Sequence, residues 1–197
     1  MYNWNMKKKD IVIIIFGFSG AGKSTLADMI GKEFGLRVVH PSSILKELIE
    51  GKKADVKNSK AGTGFWESRQ GEEMFKNRLK EKRPMDMEGD KILIKELSKG
   101  AVVMDSWSMP WLYKKGIKIY LKAAEAERVK RVAKRSNVSL FRARETVKMK
   151  DSGTRKIYKR IHGFDIKNDL EVFDCIIETN NLKKQEVFNK IKDFLKL

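Results

Sequence analysis

The sequence predicts an α/β fold with a parallel sheet of about five strands flanked by helices. Short apolar segments rich in β-branched residues alternate along the chain with segments whose apolar residues recur at helical spacing. A glycine-rich loop joins the first of these strands to the first helix. An acidic residue, Asp105, comes at the end of a later strand, and ligands gather at the carboxyl edge of a parallel sheet.

Length and composition indicate a globular protein of one domain. The chain has 197 residues, of which 41% are hydrophobic, and we treat residues 1–197 as a single domain. The net charge of +17 attracts anions, but the lysines are spread along the chain and do not by themselves identify a nucleic-acid-binding protein. No stretch approaches the ~20 apolar residues of a membrane span, and the single cysteine, Cys175, fits a reducing compartment. We therefore expect a cytoplasmic monomer with no membrane association.

The glycine-rich loop is a phosphate-binding motif. Residues 17–25, Gly-Phe-Ser-Gly-Ala-Gly-Lys-Ser-Thr, match G-x-x-x-x-G-K-[ST] between a strand at 11–16 and a helix through Phe34. Glycines let the backbone wrap a phosphate, and the amides of the helix N-terminus face the anion. A phosphate-loop (P-loop) NTPase fold follows, with Lys23 bridging phosphates and Ser24 ligating Mg²⁺. The predicted ATP-binding residues are Gly17, Ser19, Gly20, Ala21, Gly22, Lys23, Ser24 and Thr25.

The second strand leads into the part of the chain expected to hold the acceptor. Residues 36–40 read as a strand that ends before Pro41, and Ser42 or Ser43 can cap a helix through Glu50. His40 follows the strand at the edge where ligands bind and could contact substrate, although a lone histidine more often has a structural role. Residues 51–85 are the least regular part, and loop-rich inserts of this length are usually functional or mobile. We assign about 41–100 to acceptor binding.

The second half predicts two further strand–helix units and a lid. A helix over 85–99 precedes the strand at 101–105, whose final Asp105 can orient Mg²⁺. After a strand at 117–121, a helix carries Arg128, Arg131 and Arg135 on one face, which is either a solvated basic face or part of a lid. A second helical stretch runs from 139 to 150, and Ser152-Gly153 is expected to interrupt it. Residues of about 136–162 form the predicted lid that closes over phosphates, and a strand at 173–178 and an amphipathic helix follow.

Taken together, these segments resemble the nucleoside monophosphate kinases, most closely the archaeal type of cytidylate kinase. The resemblance covers nearly the whole chain and is clearest at residues 17–25, at Leu121-Lys122-Ala123 with the three arginines that follow, and at residues 155–166. It implies transfer of a phosphoryl group from ATP to a pyrimidine nucleotide, CMP above all. It also implies that Lys23, Arg131, Arg135 and Arg155 neutralise the transferring phosphates and that Ser24 and Asp105 hold Mg²⁺.

The departures from the family pattern lie on the acceptor side. The family's Gly-Glu and helix arginine correspond to Ser42-Ser43 and Lys46, and its acid-Gly-Arg run corresponds to Asp105-Ser106-Trp107. The Asp-Arg-Arg segment of the family corresponds to Asp90-Lys91-Ile92. Arginine binds a phosphate through two parallel hydrogen bonds, lysine is a point charge, and tryptophan cannot hold a phosphate. The residues predicted at the acceptor are Ser43, Lys46, Arg69 and Trp107. Either the acceptor is not a monophosphate, or another cation binds its phosphate in place of the missing arginine; the candidates are Lys46, Arg69, Arg78 and Arg83.

Two alternatives remain open from the sequence. A kinase of the same fold can phosphorylate a hydroxyl of a small metabolite or an RNA end, with Asp105 as the general base. Trp66, Trp107 and Trp111 could then stack on RNA bases, although tryptophans also serve as packing residues. The second alternative is a nucleotide-binding protein without catalysis.

Overall fold

The structure is a computed structural model that describes residues 7–62, 64–81 and 85–195. One sheet of five parallel strands has the order β2-β3-β1-β4-β5. The strands are β1 (Val12–Phe16), β2 (Arg37–Val39), β3 (Val102–Asp105), β4 (Ile117–Lys122) and β5 (Cys175–Glu178). The predicted α/β class and the five-stranded parallel sheet are confirmed.

Eight helices accompany the sheet within the described part of the chain. They are α1 (Lys23–Phe34), α2 (Pro41–Ile49), α3 (Arg69–Lys80), α4 (Asp86–Leu97), α5 (Met109–Leu112), α6 (Glu125–Ser136), α7 (Leu140–His162) and α8 (Lys184–Leu195). Two single turns of 3-10 helix lie at Lys8–Asp10 and Phe65–Glu67.

Strand β1 is the central strand of the sheet. Its five residues are all buried because both of its faces are covered. Ile13 and Ile15 pack with α1 and α8, whereas Val12 and Ile14 pack with α2 and α4 on the other face. Alternate residues of a strand point to opposite faces, so one apolar run supplies two cores. The same pairing aligns Ile15 with Asp105, which brings the ends of β1 and β3 to one edge.

The segment 51–85 is more regular than the sequence suggested. It contains the twelve-residue helix α3, whose N-terminus is capped by the Ser68 hydroxyl accepting from the Gly71 amide at 3.1 Å. Gly71, in the first turn of α3, is required by close packing, because a Cβ there would lie 2.1 Å from the Phe65 carbonyl oxygen. Arg83 lies outside the described residues.

The predicted break at Ser152-Gly153 is wrong. Helix α7 runs without interruption from Leu140 to His162, over 23 residues. Gly153 lets α3 approach α7, since a Cβ there would meet Cε1 of Phe75 at 2.5 Å. A glycine required by close packing gives the same sequence signal as a helix end.

None of the helices in the described ranges combines the length and apolar character needed to cross a bilayer.

Candidate active site

The loop between β1 and α1 has the geometry of an anion cradle. Gly20 and Gly22 have φ of +81° and +99°, conformations that side-chain-bearing residues rarely adopt. At Gly17 a Cβ would lie 2.8 Å from both the Cβ of Ala21 and the Leu121 carbonyl oxygen. No acidic residue occupies the first turn of α1, so the amides at its N-terminus keep their attraction for an anion.

The predicted ATP-binding residues all belong to this loop and the first turn of α1. Ser19 and Gly20 line a cleft with Lys23 and Ser24, whereas Thr25 is exposed. The Ser19 amide donates to Oδ1 of Asp151 at 3.0 Å, which ties the loop to α7.

Lys23 lies at the floor of the cleft and carries a perturbed amine. Burial lowers its pKa to about 8, Asp105 and Asp151 oppose that shift, and the cations Lys150 and Arg135 add to it. Its Nζ lies 4.7 Å from the ring centroid of Trp107 and 3.5 Å from the Phe18 carbonyl oxygen. The Lys23 amine therefore makes only weak direct contacts within the protein, and a bound phosphate would give it a strong electrostatic interaction.

Asp105 connects the loop to His40. Its Oδ2 accepts from the Ser24 hydroxyl at 2.5 Å, and its Oδ1 lies 2.7 Å from Nδ1 of His40. Nε2 of His40 in turn lies 3.0 Å from Oδ1 of Asp28. Burial works to lower the pKa of His40, but the hydrogen bonds and charges of Asp105 and Asp28 outweigh it and raise the pKa above its ordinary value.

The cleft extends from the phosphate loop to a second pocket between α2, α3, α4 and α7. It has about 960 Å³ of empty space, including its open mouth. Both halves share one cavity. Its lining beyond the loop includes Pro41, Ser42, Ile44, Leu45, Gly62, Trp66, Phe75, Arg78, Asp86, Gly89, Asp90, Leu93, Asp105, Ser106, Trp107, Ser108, Arg135, Lys150, Thr154 and Tyr158.

The three arginines of α6 contact three different places. Arg128 is buried and bonds Asp151 at 2.6 Å and the Ser19 carbonyl at 2.9 Å, so it supports the phosphate loop from behind. Arg131 donates to the carbonyl and hydroxyl oxygens of Thr179 at 2.5 and 3.1 Å and to the Ala21 carbonyl of the phosphate loop at 3.5 Å, but it does not line the cleft. Only Arg135 lines the cleft, where it bonds Glu67 at 3.0 Å.

Arg155 does not line the cleft either. Its Nε and Nη2 donate to the two carboxylate oxygens of Asp165 at 2.6 and 2.5 Å, beyond the C-terminus of α7. That hydrogen bonding lowers the pKa of Asp165 to about 2. In this conformation the residue that α7 supplies to the cleft near Lys23 is Lys150.

The far half of the cleft is built around a buried ion pair. Nε of Arg78 donates to Oδ2 of Asp86 at 2.7 Å, and Nη2 binds the other carboxylate oxygen. Beside this pair, burial and the charges of Asp86 and Asp90 raise the pKa of Tyr158 and keep its phenol neutral. Asp90 accepts from the Ser108 hydroxyl at 2.6 Å and lies 2.7 Å from Nε2 of His162.

Three of the four residues predicted at the acceptor do not line the cleft. The Ser43 hydroxyl donates to the His40 carbonyl at 3.0 Å, so it serves the first turn of α2. Lys46 lies 3.5 Å from Glu50 and 4.3 Å from the ring centroid of Phe65. The side chain of Arg69 is 94% exposed. Trp107 does line the cleft, over Lys23.

Trp66 and Trp111, the other two tryptophans considered for base stacking, make packing contacts in this structure. Trp66 is buried beside Phe65. Trp111 stacks on Phe164 with 5.0 Å between ring centroids, and its indole nitrogen donates to the Asp169 carbonyl at 2.8 Å. Trp66 reaches the cleft lining, whereas the described contacts of Trp111 are all with packing partners, so Trp111 gives no support for RNA stacking.

Sequence reasoning missed Glu67 and Lys150, and it named Arg78 only as one of several substitutes. It placed His40 at the ligand edge, directly after β2, but favoured a structural role for it. Glu67 and Lys150 are separated by 83 positions in the chain, and no local pattern joins them. Only tertiary packing makes them neighbours.

A five-stranded parallel sheet with a P-loop and an acid at the adjacent strand end defines the P-loop class of nucleotide-binding proteins, which includes kinases and ATPases. The chain matches the cytidylate kinase-like family over residues 12–181, and it belongs to that family of phosphoryl-transferring enzymes. It is 29% identical to the cytidylate kinase of Staphylothermus marinus over 187 residues, which cover 94% of this chain and 96% of the relative. It is 30% identical to that of Sulfurisphaera tokodaii over 192 residues, covering 94% and 95%.

Solved structures of similar fold include other kinases. Shikimate kinase from Acinetobacter baumannii, in complex with shikimate, superposes with a TM-score of 0.53 at 18% identity, covering 96% of this chain and 95% of that one. Deoxyadenosine kinase from M. mycoides gives 0.51 at 14% identity, covering 95% and 100%. At these identities the similarity concerns the fold alone.

Proposed function

We propose that the protein transfers a phosphoryl group from ATP to a nucleoside monophosphate in the cytoplasm, with CMP or another pyrimidine nucleotide as the acceptor. Membership of the cytidylate kinase-like family supports this, and it also favours catalysis over nucleotide binding alone. The observation that carries the proposal is the continuity of the cleft, which joins the phosphate loop to the pocket around Arg78. A phosphoryl group can pass directly between two substrates only if they meet in one cavity.

The donor half has the charges that phosphoryl transfer needs. Lys23 and Arg135 line it, and the N-terminus of α1 opens into the same space. On this proposal the loop amides bind the phosphate chain and Lys23 bridges its terminal groups. Arg135 neutralises charge that spreads over the transferring group. Arg131 and Arg155 would have to leave Thr179 and Asp165 before they could contact phosphates.

The residues that would hold Mg²⁺ are Ser24 and Asp105. Their oxygens lie 2.5 Å apart at the end of the loop, and oxygen ligands are what this hard cation prefers. Clusters of three or more acidic, histidine or cysteine ligands do not occur within the described ranges. That is compatible with Mg²⁺, which commonly takes one or two protein ligands together with phosphates and water. When bound, the cation would offset charge on the bridging phosphate oxygens.

Arg78 is our candidate for the residue that binds the acceptor phosphate, in place of the family's arginine at the position where this chain has Trp107. It is the arginine of α3 that lines the cleft, and Asp86 fixes its guanidinium through two hydrogen bonds. The Asp86 carboxylate uses only part of the five donors of a guanidinium, so N–H groups remain for a phosphate. The aromatic rings of Phe75 and Tyr158 provide apolar walls next to it.

A hydroxyl acceptor is the second candidate, with Asp105 as the general base, and the Arg78–Asp86 ion pair favours it. Arg78 is already neutralised by Asp86, which suits an uncharged acceptor better than a phosphate.

An acceptor screen separates the two candidates. Purified protein, Mg²⁺ and ATP would be incubated with CMP, dCMP, UMP, AMP, GMP and dTMP, then with nucleosides, other hydroxyl metabolites and RNA ends. ADP release would be followed against a no-acceptor control. Release with CMP or UMP at rates well above the control supports the first candidate. Release only with hydroxyl compounds overturns it in favour of the second.

A further inference from the structure

The donor half of the cleft contains more positive charge than its own carboxylates explain. Lys23, Arg135 and Lys150 line the same cavity. The charges of Lys150 and Arg135 lower the pKa of Lys23, and that of Arg135 lowers the pKa of Lys150. The nearby acids Asp105 and Asp151 are bonded to His40 and Arg128. Both acids attract Lys23 electrostatically, but among the residues described Glu67 is the carboxylate that forms ion pairs with Arg135 and Lys150.

One carboxylate oxygen of Glu67 forms ion pairs with two cations. Its Oε1 lies 3.0 Å from Nη2 of Arg135 and 3.3 Å from Nζ of Lys150, and the Ser136 hydroxyl lies 3.5 Å from Oε2. The Glu67 side chain is 2% exposed and that of Lys150 is 15% exposed. Arg135 alone would neutralise the Glu67 carboxylate. Pairing with Glu67 therefore does not explain why Lys150 is buried there as well.

Burying a lysine without a need for its charge is costly. Loss of water disfavours the ammonium form, and burial is the largest cause of the lowered pKa of Lys150. The arrangement becomes favourable once an anion with several oxygens enters the cleft, because each cation then gains a partner in a region of low dielectric. A phosphate chain lying on the loop is such an anion.

We propose that Lys150 is a phosphate-binding residue of the donor site, and that Glu67 is the positioning residue that holds Lys150 and Arg135 over the phosphate loop. This inference rests on the proposed function, since it assigns a residue to the same donor site. It replaces Arg155, which is bonded to Asp165, by Lys150 as the cation that α7 supplies in this conformation.

The test uses Lys150→Met, which removes the ammonium group and keeps most of the apolar stem. Binding of tripolyphosphate with Mg²⁺ would be measured by calorimetry on the full chain, with adenosine as a ligand that has no phosphates. We expect tripolyphosphate affinity to fall about 10- to 100-fold, the usual effect of one charge-assisted hydrogen bond, and adenosine affinity to stay unchanged. Lys148→Met is the matched control, because Lys148 lies on the same helix and is exposed.

A double-mutant cycle separates phosphate binding from a purely structural ion pair. Lys150→Met would be repeated in a Glu67→Gln background, with thermal unfolding measured for every variant. If Lys150 only compensates Glu67, its substitution has no effect on phosphate binding once the carboxylate is gone, and the proposal is overturned. A loss of affinity that persists in the double variant, and is recovered by Lys150→Arg, supports it.

The same data distinguish this inference from the proposed function. Failure of the wild-type protein to bind either ATP or tripolyphosphate overturns the donor site and both proposals. Wild-type binding that Lys150→Met leaves intact overturns only the assignment of Lys150.

Discussion

Nδ1 of His40 lies 2.7 Å from Oδ1 of Asp105, and the opposite ring nitrogen lies 3.0 Å from Asp28. The imidazole is 3% exposed, whereas the Asp28 side chain is 56% exposed. A buried histidine thus links a carboxylate at the protein surface to the carboxylate that bonds Ser24. The contact fixes the orientation of Asp105, since one of its oxygens is held by His40 and the other by the serine.

We expect His40→Leu to reduce kcat about 10- to 100-fold, the usual effect of removing a group that orients a metal-site carboxylate. His40→Asn can still donate to Asp105, because its side-chain amide replaces Nδ1 in position. It should therefore retain more activity than His40→Leu. Steady-state kinetics with saturating ATP and acceptor measure both. Equal loss in the two variants, with equal loss of thermal stability, would show that His40 acts through packing alone.

Lys23→Met should lower kcat by a factor of at least about 10³, because the residue that bridges the donor phosphates contributes on the scale of other phosphate-neutralising side chains. Lys32→Met is the control, since Lys32 lies on the exposed side of the same helix. Activity is measured by ADP release at saturating substrates. Wild-type turnover in Lys23→Met would remove the donor-site assignment.

Arg78→Lys should raise KM for the monophosphate acceptor by about 10-fold or more, because lysine cannot form two parallel hydrogen bonds. The KM for ATP should change little. Arg69→Lys is the matched control on the same helix, and its exposed position predicts no effect on either constant. If Arg69→Lys raises the acceptor KM and Arg78→Lys does not, the original sequence prediction for Arg69 is right and the role of Arg78 is wrong.

Gly153→Ala should destabilise the protein by about 1–3 kcal/mol, the typical cost of overfilling a packed core. The helix propensity of alanine offsets about 1 kcal/mol at most, and a Cβ at 2.5 Å from a fully buried Phe75 ring outweighs it. Gly89→Ala in α4 is the control, because the nearest contact of its Cβ would be an ordinary 3.6 Å. Urea unfolding should show a lower free energy of unfolding for Gly153→Ala than for wild type and no decrease for Gly89→Ala.

Arg155→Met should lower the stability of the protein above about pH 4 and leave it unchanged near pH 2. The Arg155 hydrogen bond is the main cause that lowers the pKa of Asp165 from 3.8 to about 2 in the folded state, with smaller contributions from the Lys167 amide and nearby charges, so the stabilisation is present above about pH 4 and is lost as the pH falls toward 2. The variant should therefore unfold at a lower temperature than wild type at pH 7, with the difference disappearing near pH 2. Asp165→Asn should show the same pattern. A difference that is independent of pH would exclude this ion pair as its cause.

The donor half of the site could be read directly from the sequence. The β-branched run before Gly17, the loop glycines and the helical spacing after Ser24 are neighbours in the chain, so local chemistry specifies how they are arranged. The end of β3 was predicted equally well, because the apolar run before Asp105 indicates a buried strand that ends at this acid. These are features in which sequence separation and spatial separation agree.

The acceptor half was decided by tertiary structure. Ser43 and Lys46 lie on α2 as expected, but its orientation against Leu93 and Leu97 of α4 brings Ser42 rather than Ser43 into the cleft. Arg69 and Arg78 share one helix, and only the packing of Phe75 against α7 determines that Arg78 faces inward.

The sequence by itself determined the fold class, the phosphate loop and the family resemblance, because each depends on local spacing of apolar residues, glycines and charges. Only the tertiary structure decided which cations reach the cleft. Arg128, Arg131 and Arg135 look equivalent on one helical face, yet they bond Asp151, Thr179 and Glu67. Long side chains on one helix take their partners from different surrounding elements, and those elements come from distant parts of the chain.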